Sequence, residues 1–351
     1  MLDSARLRSL FRMELTLVVP GLLDLAEAEP ARADAEGTAL ARLLGTGTPP
    51  AVHDSAIEIA CEAMGIARQR DWPVAPILAA AANVDPGDAY WLLAEPVTLV
   101  VGQTDVRLVS VVDDLSADEA AALLATLNSH FVDDGLRFVS IDPARWLITA
   151  TSAQQLLTHP ADDALGAPIS AFLPDGPDAP RWRRWQSEMQ MLLFAHPVTS
   201  QREQHGRAPI NGVWLSGGGV RATTQAKARI ASLYADAPLP RDLARAGGLE
   251  VGSAPSSFGQ WIESGPKSPT LVWLRAIGTN DGPAALAALG RDWADPLCAA
   301  LDAHAPLELS IAISGRGRVL SFTPRRRSLV ARWRNRLTRV ALSTLLAAAG
   351  D

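Results

Sequence analysis

Apolar residues come in short blocks along this chain, and the length and period of each block predict its element. Residues 14–19 (ELTLVV) are a run of strand formers stopped by Pro20-Gly21. A near-continuous apolar strand that ends at a glycine turn and feeds a helix is how a parallel α/β sheet begins. Ala-rich stretches at 39–44, 55–67 and 75–82 carry helical spacing, and 90–101 has a second strand signature, β-prone from Val97 to Val101.

The texture changes after Gly102. Residues 106–112 alternate toward a strand, and a helix is predicted from Ser116 to Asn128. Ser116 is its cap, and Asp118 and Glu119 put acids in the first turn, where the helix dipole favours them. Two short strands, 136–141 and 146–149, flank an Asp142-Pro143 turn, and a Pro- and Gly-rich loop covers 168–180. The segment 182–194 is a strongly periodic helix. Trp182, Trp185, Met189, Leu192 and Leu193 form its apolar stripe, with Arg181, Arg183 and Arg184 off it, a pattern that predicts core packing between two domains. Strand patterns return at 211–215, 270–274 and 307–313, and an Ala/Leu helix lies across 284–303.

The fold class read from this order is α/β: a core sheet flanked by helices, with a compact α+β unit inserted. The boundaries are 12–101 and 205–325 for a discontinuous core, 102–204 for the insertion and its linker, and 326–351 for a basic C-terminal helix.

Composition narrows the function. Of 351 residues, 48% are hydrophobic and 20% charged, an ordinary globular balance. A formal net charge of −6 gives the chain as a whole no strong nucleic-acid signal. The charge is uneven, because seven arginines and no acid stand between Arg325 and Arg339. Leu329, Trp333, Leu337 and Val340 follow a 4-4-3 spacing that Ala341 and Leu345 continue, so a basic amphipathic helix is expected from Ser328 to Ala348, with Arg325 to Leu345 as its candidate contact surface. Such a helix can lie on an anionic surface, grip nucleic acid, dock on a protein partner, or pack as an ordinary helix with a solvated arginine face. The sequence leaves these open. No apolar run approaches the ~20 residues of a membrane span, and the first residues mix Arg, Asp and Ser without the apolar centre of a signal peptide. Cys61 and Cys298 lie far apart in Ala-rich segments and read as buried, reduced thiols. A cytoplasmic protein is expected.

Several fragments, taken in order, carry a resemblance. DEAAALLATLN (118–128), then Phe138 and Ala144-Arg145-Trp146-Leu147-Ile148, resemble the inserted domain of the archaeal-type cofactor-independent phosphoglycerate mutases of the alkaline phosphatase superfamily. GAPISAFLPDG (166–176) is similar to that family's linker. His196-Pro197-Val198, Arg202, Gly206, Ala208-Pro209, Asn211 and Val213-Trp214-Leu215 with Gly217 and Gly219 are similar to its return segment. The set RWRRWQSEMQMLL, HPV and INGVWLSGGG looks closer still to bacterial RpfE-type regulatory proteins, which resemble the mutases.

The resemblance implies an alkaline-phosphatase-like core, and it also implies a chemistry whose parts can be checked. In that family two divalent cations, held by Asp and His, clamp attacking and leaving oxygens while a Ser takes the phosphoryl group. The first ligand is an Asp in an Asp-Gly pair after the first strand, and here the pair reads Pro20-Gly21. Asp24 matches a later acid of the motif. The nucleophile run corresponds to Val52-His53-Asp54-Ser55-Ala56, with His53 where the Ser stands, so Pro20, His53 and Asp54 are degenerate positions. Ser55, two residues on, points about 200° away on a helix and reads as an N-cap. The later ligand regions correspond to 278–283 and 314–318 and hold no His. No metal and no cofactor are therefore expected.

The remaining candidates bind rather than react. Asp24, Arg145, Asn211, Gly217 and Gly219 are the ligand-binding candidates. Gly217-Gly218-Gly219 can cradle a phosphate with backbone amides or simply make a tight turn. Arg145 matches an arginine that reaches the family's substrate, and it can instead hold a structural ion pair. His196 and His205 lack partners at metal-ligand spacing and read as structural. The expected function is a non-catalytic, regulatory or ligand-binding RpfE-type protein taking a small phosphorylated metabolite. The alternative is a mutase or phosphatase-like enzyme acting on small phosphorylated acids with a rearranged site.

Overall fold

The computed structural model describes residues 13–46, 49–152, 154–221, 226–277, 282–315, 317–325 and 341–347. In chain order its strands are β1 Met13–Val19, β2 Ala51–His53, β3 Tyr90–Val101, β4 Val106–Val111, β5 Leu136–Asp142, β6 Arg145–Ala150, β7 Gly212–Gly219, β8 Ser232–Ala235, β9 Glu250–Gly252, β10 Thr270–Trp273, β11 Leu307–Gly315 and β12 Arg318–Phe322. The chain divides into two compact units, residues 1–64 with 228–351, and residues 65–227.

Among the described residues, the first unit holds a seven-stranded sheet ordered β2-β12-β11-β1-β10-β8-β9. β1 pairs in parallel with β10 and β11, and β10 with β8, while β12 and β2 run antiparallel at one side. A strand in the middle of a covered parallel sheet must be apolar on both faces, which is why ELTLVV carries so little alternation. Leu15, Leu17 and Val19 meet Leu22 and Leu25 of the helix Leu22–Ala28, Leu40 and Leu43 of the helix Thr38–Leu44, and Trp261, Trp293 and Leu297 in one core. The expected Ala/Leu helix is present as Gly282–Leu289 and Asp295–Asp302, joined through a π-helical turn at Gly290–Ala294. Cys61 and Cys298 are buried and unbridged.

The last described helix, Leu342–Ala347, buries Leu342 and Leu346 in the same core. Gly37 makes room for it, because a Cβ there would lie 2.4 Å from Leu342 Cδ2. Ser343 N and Oγ bond Asp34 Oδ1 and Oδ2 at 2.8 and 2.9 Å. Upstream, Arg325 N donates to Thr46 Oγ1 at 3.2 Å. The rest of the predicted basic helix, including residues 326–340, lies outside the described residues.

The second unit is an antiparallel sheet ordered β4-β3-β6-β5, with β7 pairing β3. Helices Ala117–His130 and Ala179–Phe194 cover one face, where Leu123, Leu127, Phe131, Trp146, Trp182, Trp185, Met189 and Leu193 form a core. The tryptophan stripe thus packs inside this unit rather than between domains. Each of its fully buried large side chains contributes about 1.5–3 kcal/mol. The opposite face carries Val97, Leu99, Leu108 and Trp214 against Ala161, Ala164, Ala167 and Phe172. Ser116 is the cap expected from sequence, and with Glu119 it closes a capping box: its Oγ accepts from Glu119 N at 3.2 Å, and Glu119 Oε2 accepts from Ser116 N at 2.8 Å.

Two strand placements differ from expectation. Residues 90–101 and 211–215 read as parts of the core sheet, yet β3 and β7 pair with each other, Ala94 with Leu215 and Val97 with Gly212. β3 is covered on both faces by its own unit's cores, which gives an antiparallel strand the apolar look of a parallel one. The second unit accordingly runs 65–227 rather than 102–204.

Candidate functional site

Pro20 ends β1, and its neighbourhood is closed by backbone. Leu274 N donates to Val18 O at 3.0 Å and Ile277 N to Pro20 O at 2.9 Å, so the segment after β10 continues alongside β1 past the end of the strand. Gly21 has φ 79°, and a Cβ there would lie 2.4 Å from Ile277 O. The helix Leu22–Ala28 begins at once and places Asp24, half-buried, in its first turn. Asp24 packs against the end of β11: a Cβ on Gly315 would stand 3.0 Å from its Oδ1.

His53 and Asp54 sit at the far edge of the same sheet, separated from β1 by β12 and β11. His53 Nδ1 is 3.5 Å from Glu58 Oε1, and Asp54 N donates to Glu58 Oε2 at 3.3 Å. Ser55 is buried and caps the helix Ala56–Ala63, its Oγ accepting from Ile57 N at 3.4 Å. Among the described residues, no three His, Cys, Asp or Glu side chains group in a way that could hold a metal ion. Pro20 offers no donor atom, and Asp24 and His53 stand strands apart, so the side chains described at these positions do not fit a two-cation clamp. Residues 278–281 and Arg316, in the later ligand regions, lie outside the described residues.

In the second unit Arg145 pairs with Asp142, Nε to Oδ2 at 2.6 Å, and Asp142 Oδ1 also accepts from Ala144 N at 2.9 Å. This is the ion-pair reading of Arg145. Asn211, a ligand-binding candidate from the sequence, lies against β3, its Oδ1 accepting from Leu99 N and its Nδ2 donating to Leu99 O. The glycine run lies within β7 and its neighbours crowd all three residues. A Cβ would meet Val74 at 2.7 Å from Gly217, the Tyr90 hydroxyl at 2.1 Å from Gly218 and Pro73 at 2.5 Å from Gly219.

The amide of Gly218 points at a carboxylate, Asp71 Oδ2, at 3.3 Å. That acid is 4% exposed. It also takes Trp72 N at 2.7 Å, Thr158 N at 3.0 Å and the Thr158 hydroxyl. Burial raises its pKa while these donors oppose the shift. The Gly218 amide is thus engaged by a buried carboxylate, and Gly217 and Gly219 lie where a side chain would collide with Val74 and Pro73.

Sequence reasoning passed over both Asp71 and Glu95. Glu95 sits half-buried on β3, paired with Trp214, and burial with the nearby Asp162 pushes its pKa to about 8 against the pull of Arg145. The available signal was a single acid inside an otherwise apolar strand, YWLLAEPVTLVV. Within the first unit Pro20 and Asp24 lie on one turn and His53 and Asp54 at the sheet edge. Within the second, Arg145 is on β6, the glycines are on β7 and Asn211 directly precedes β7.

No protein-family model matches the chain. A 107-residue stretch is 31% identical to the 2,3-bisphosphoglycerate-independent phosphoglycerate mutase of Methanosarcina mazei, covering 30% of this chain and 27% of that protein. The corresponding mutase of Methanosarcina acetivorans is 25% identical over 173 residues, 48% of this chain and 43% of that protein. The chain thus spans less than half the length of these curated relatives in alignment. Among solved structures, the cofactor-independent phosphoglycerate mutase of Thermoplasma acidophilum superposes with a TM-score of 0.46 at 16% identity over 95% of each chain. A protein of Pyrococcus horikoshii superposes with 0.41 at 16% identity, covering 90% of this chain and 88% of that one. In sequence, the chain is distantly similar to the archaeal type of cofactor-independent phosphoglycerate mutase, of the alkaline phosphatase superfamily.

Proposed function

We propose that this protein is a mutase-like regulatory or ligand-binding protein of the RpfE type, which takes a small phosphorylated metabolite and does not transfer its phosphoryl group through a metal clamp. The observation that carries the reading is the end of β1. The family chemistry needs a carboxylate there, and the position holds Pro20, its carbonyl bonded to Ile277 N. His53, in place of the nucleophile, lies beside Glu58. Neither side chain can be a phosphoryl-accepting alkoxide, and the Ser55 hydroxyl, two residues after His53, caps a helix.

The test combines metal and turnover. The purified chain is analysed for manganese and zinc, titrated with each by calorimetry, and assayed for interconversion of 3- and 2-phosphoglycerate. No stoichiometric metal and no turnover are expected. Bound metal with turnover abolished in Ser55→Ala would instead establish the enzyme with a rearranged site. A thermal-shift screen of phosphorylated metabolites tests the binding half. A ligand at a hundred times its Kd stabilises the fold by about 2.7 kcal/mol.

A further inference from the structure

On the sheet face opposite the tryptophan-rich core, four strands of the second unit each place one residue in a transverse row. Glu95 pairs with Trp214 of β7, and Arg145 pairs with Asp142 of β5. Ala94 pairs with Trp146, so Glu95 stands one place further along the same two strands, opposite Arg145. Directly paired residues of antiparallel strands put their side chains on one face. The row therefore reads indole, carboxylate, guanidinium, carboxylate.

The charged groups facing Glu95 are Asp162 from the short helix Ala161–Ala164, Arg145 from β6 and Asp142 from β5. Trp214 on β7 adds no charge, and its indole N–H is engaged by His159 O at 2.7 Å. Glu95 thus faces two further carboxylates and one guanidinium. Asp142 holds it at 2.6 Å. Glu95, on the central strand and screened least by water, is left as the acid that keeps its proton most readily.

We propose that Glu95, Arg145 and Asp142 form a proton-operated exchange: while Glu95 is protonated Arg145 is committed to Asp142, and loss of that proton to solvent draws the guanidinium toward β3. The two states differ by one charge on this face and by the partner that fixes the β5–β6 turn. The device stands on the row itself and is independent of the function proposed above. Its failure would leave that reading untouched.

The experiment is a carbon-detected titration of the glutamate carboxyls in the full-length chain, with the Glu95 resonance assigned by its loss in Glu95→Gln. A midpoint of about 8 is expected. Asp142→Asn removes a negative neighbour and neutralises the acid paired with Arg145, so it should lower that midpoint by about one pH unit or more. Arg145→Gln should raise it. The amide introduced by Asp142→Asn keeps an oxygen for Ala144 N, so the turn survives this variant, and circular dichroism confirms it. If Arg145→Gln does not fold, the Asp142→Asn titration decides alone. A wild-type midpoint in the ordinary glutamate range near ~4.3, or an unmoved midpoint in Asp142→Asn, overturns the proposal.

Discussion

Asn211 lays its side-chain amide flat against the backbone of Leu99, accepting from the amide N at 2.7 Å and donating to the carbonyl O at 2.8 Å. The side chain takes the place of one residue of a neighbouring strand just before β7 begins. Asn128 does the same for Phe138, at 2.8 and 3.0 Å, on the free edge of β5. An amide used this way satisfies two main-chain groups that would otherwise be left unbonded near the core. Asn211→Ala should therefore cost about 1–3 kcal/mol in urea unfolding. Asn211→Asp should cost more, because it sets a carboxylate against the Leu99 carbonyl. An unchanged midpoint in both would show that water serves Leu99 equally well.

Asp71 joins segments far apart in sequence, accepting from Thr158 and Gly218, 87 and 147 residues away. In Asp71→Ala four donors lose their acceptor inside the second unit. A loss of at least about 3 kcal/mol is expected. Asp71→Asn retains the shape but turns one acceptor into a donor, and should recover only part of it. Equilibrium unfolding of the two variants ranks them, and equal stability of Asp71→Asn and wild type would remove the carboxylate from the account.

Arg202 is buried, with Nε on Ala208 O at 2.8 Å, one nitrogen 3.2 Å from Glu119 and another on Asp114. Glu119 is held below its ordinary pKa although burial pushes it up, because Ser116 N and Arg202 bond the charged form. Asp114 is lowered chiefly by its bond from Arg202. A depressed carboxylate contributes stability that is present above its unfolded pKa and lost as pH falls. Arg202→Met should cost about 3 kcal/mol at neutral pH, and the gap from wild type should narrow below about pH 4. Thermal denaturation across that range reads both.

His196 caps the helix Pro197–Gln204 through Nδ1, which accepts from Val198 N at 3.2 Å, while Nε2 lies 3.1 Å from Thr126 Oγ1. Burial lowers its pKa from the ordinary 6.5. The folded state therefore binds this proton less readily than the unfolded chain, and stability falls as pH drops below about 6.5. His196→Asn keeps a good cap without a titrating ring. Its stability should be flatter than wild type between pH 7 and 5 on the ~6.5 histidine scale, and parallel curves would dismiss the histidine as the source.

What was legible in the sequence was local. The unbroken apolar run of β1, the Ser116 cap, the Trp182–Leu193 stripe and the Ser55 cap each involve residues within one helix or one strand of each other, so pattern alone exposes them. Ser232–Ala235 and Arg318–Phe322 were passed over because four or five residues hold too little period to separate a strand from a loop. The pairing of β3 with β7 and the link from Asp71 to Gly218 depend on contacts more than a hundred residues apart, as between Ala94 and Leu215. For the same reason the strand contacts of Asn211 and of the glycine run do not show in the sequence: a polar or flexible residue in a resemblance motif looks alike whether it serves a ligand or a neighbouring strand.

The helix Leu342–Ala347 changes how the arginine-rich stretch before it can be interrogated. Cutting the chain at Arg325 would strip Leu342 and Leu346 from a buried cluster and leave the Gly37 notch and Asp34 open to water. Such a truncated protein would lose solubility and binding together, and the two losses could not be told apart. Swapping arginines for glutamine in the uncut chain leaves that seam intact, so any fall in affinity for anionic vesicles or a protein partner then reports charge alone.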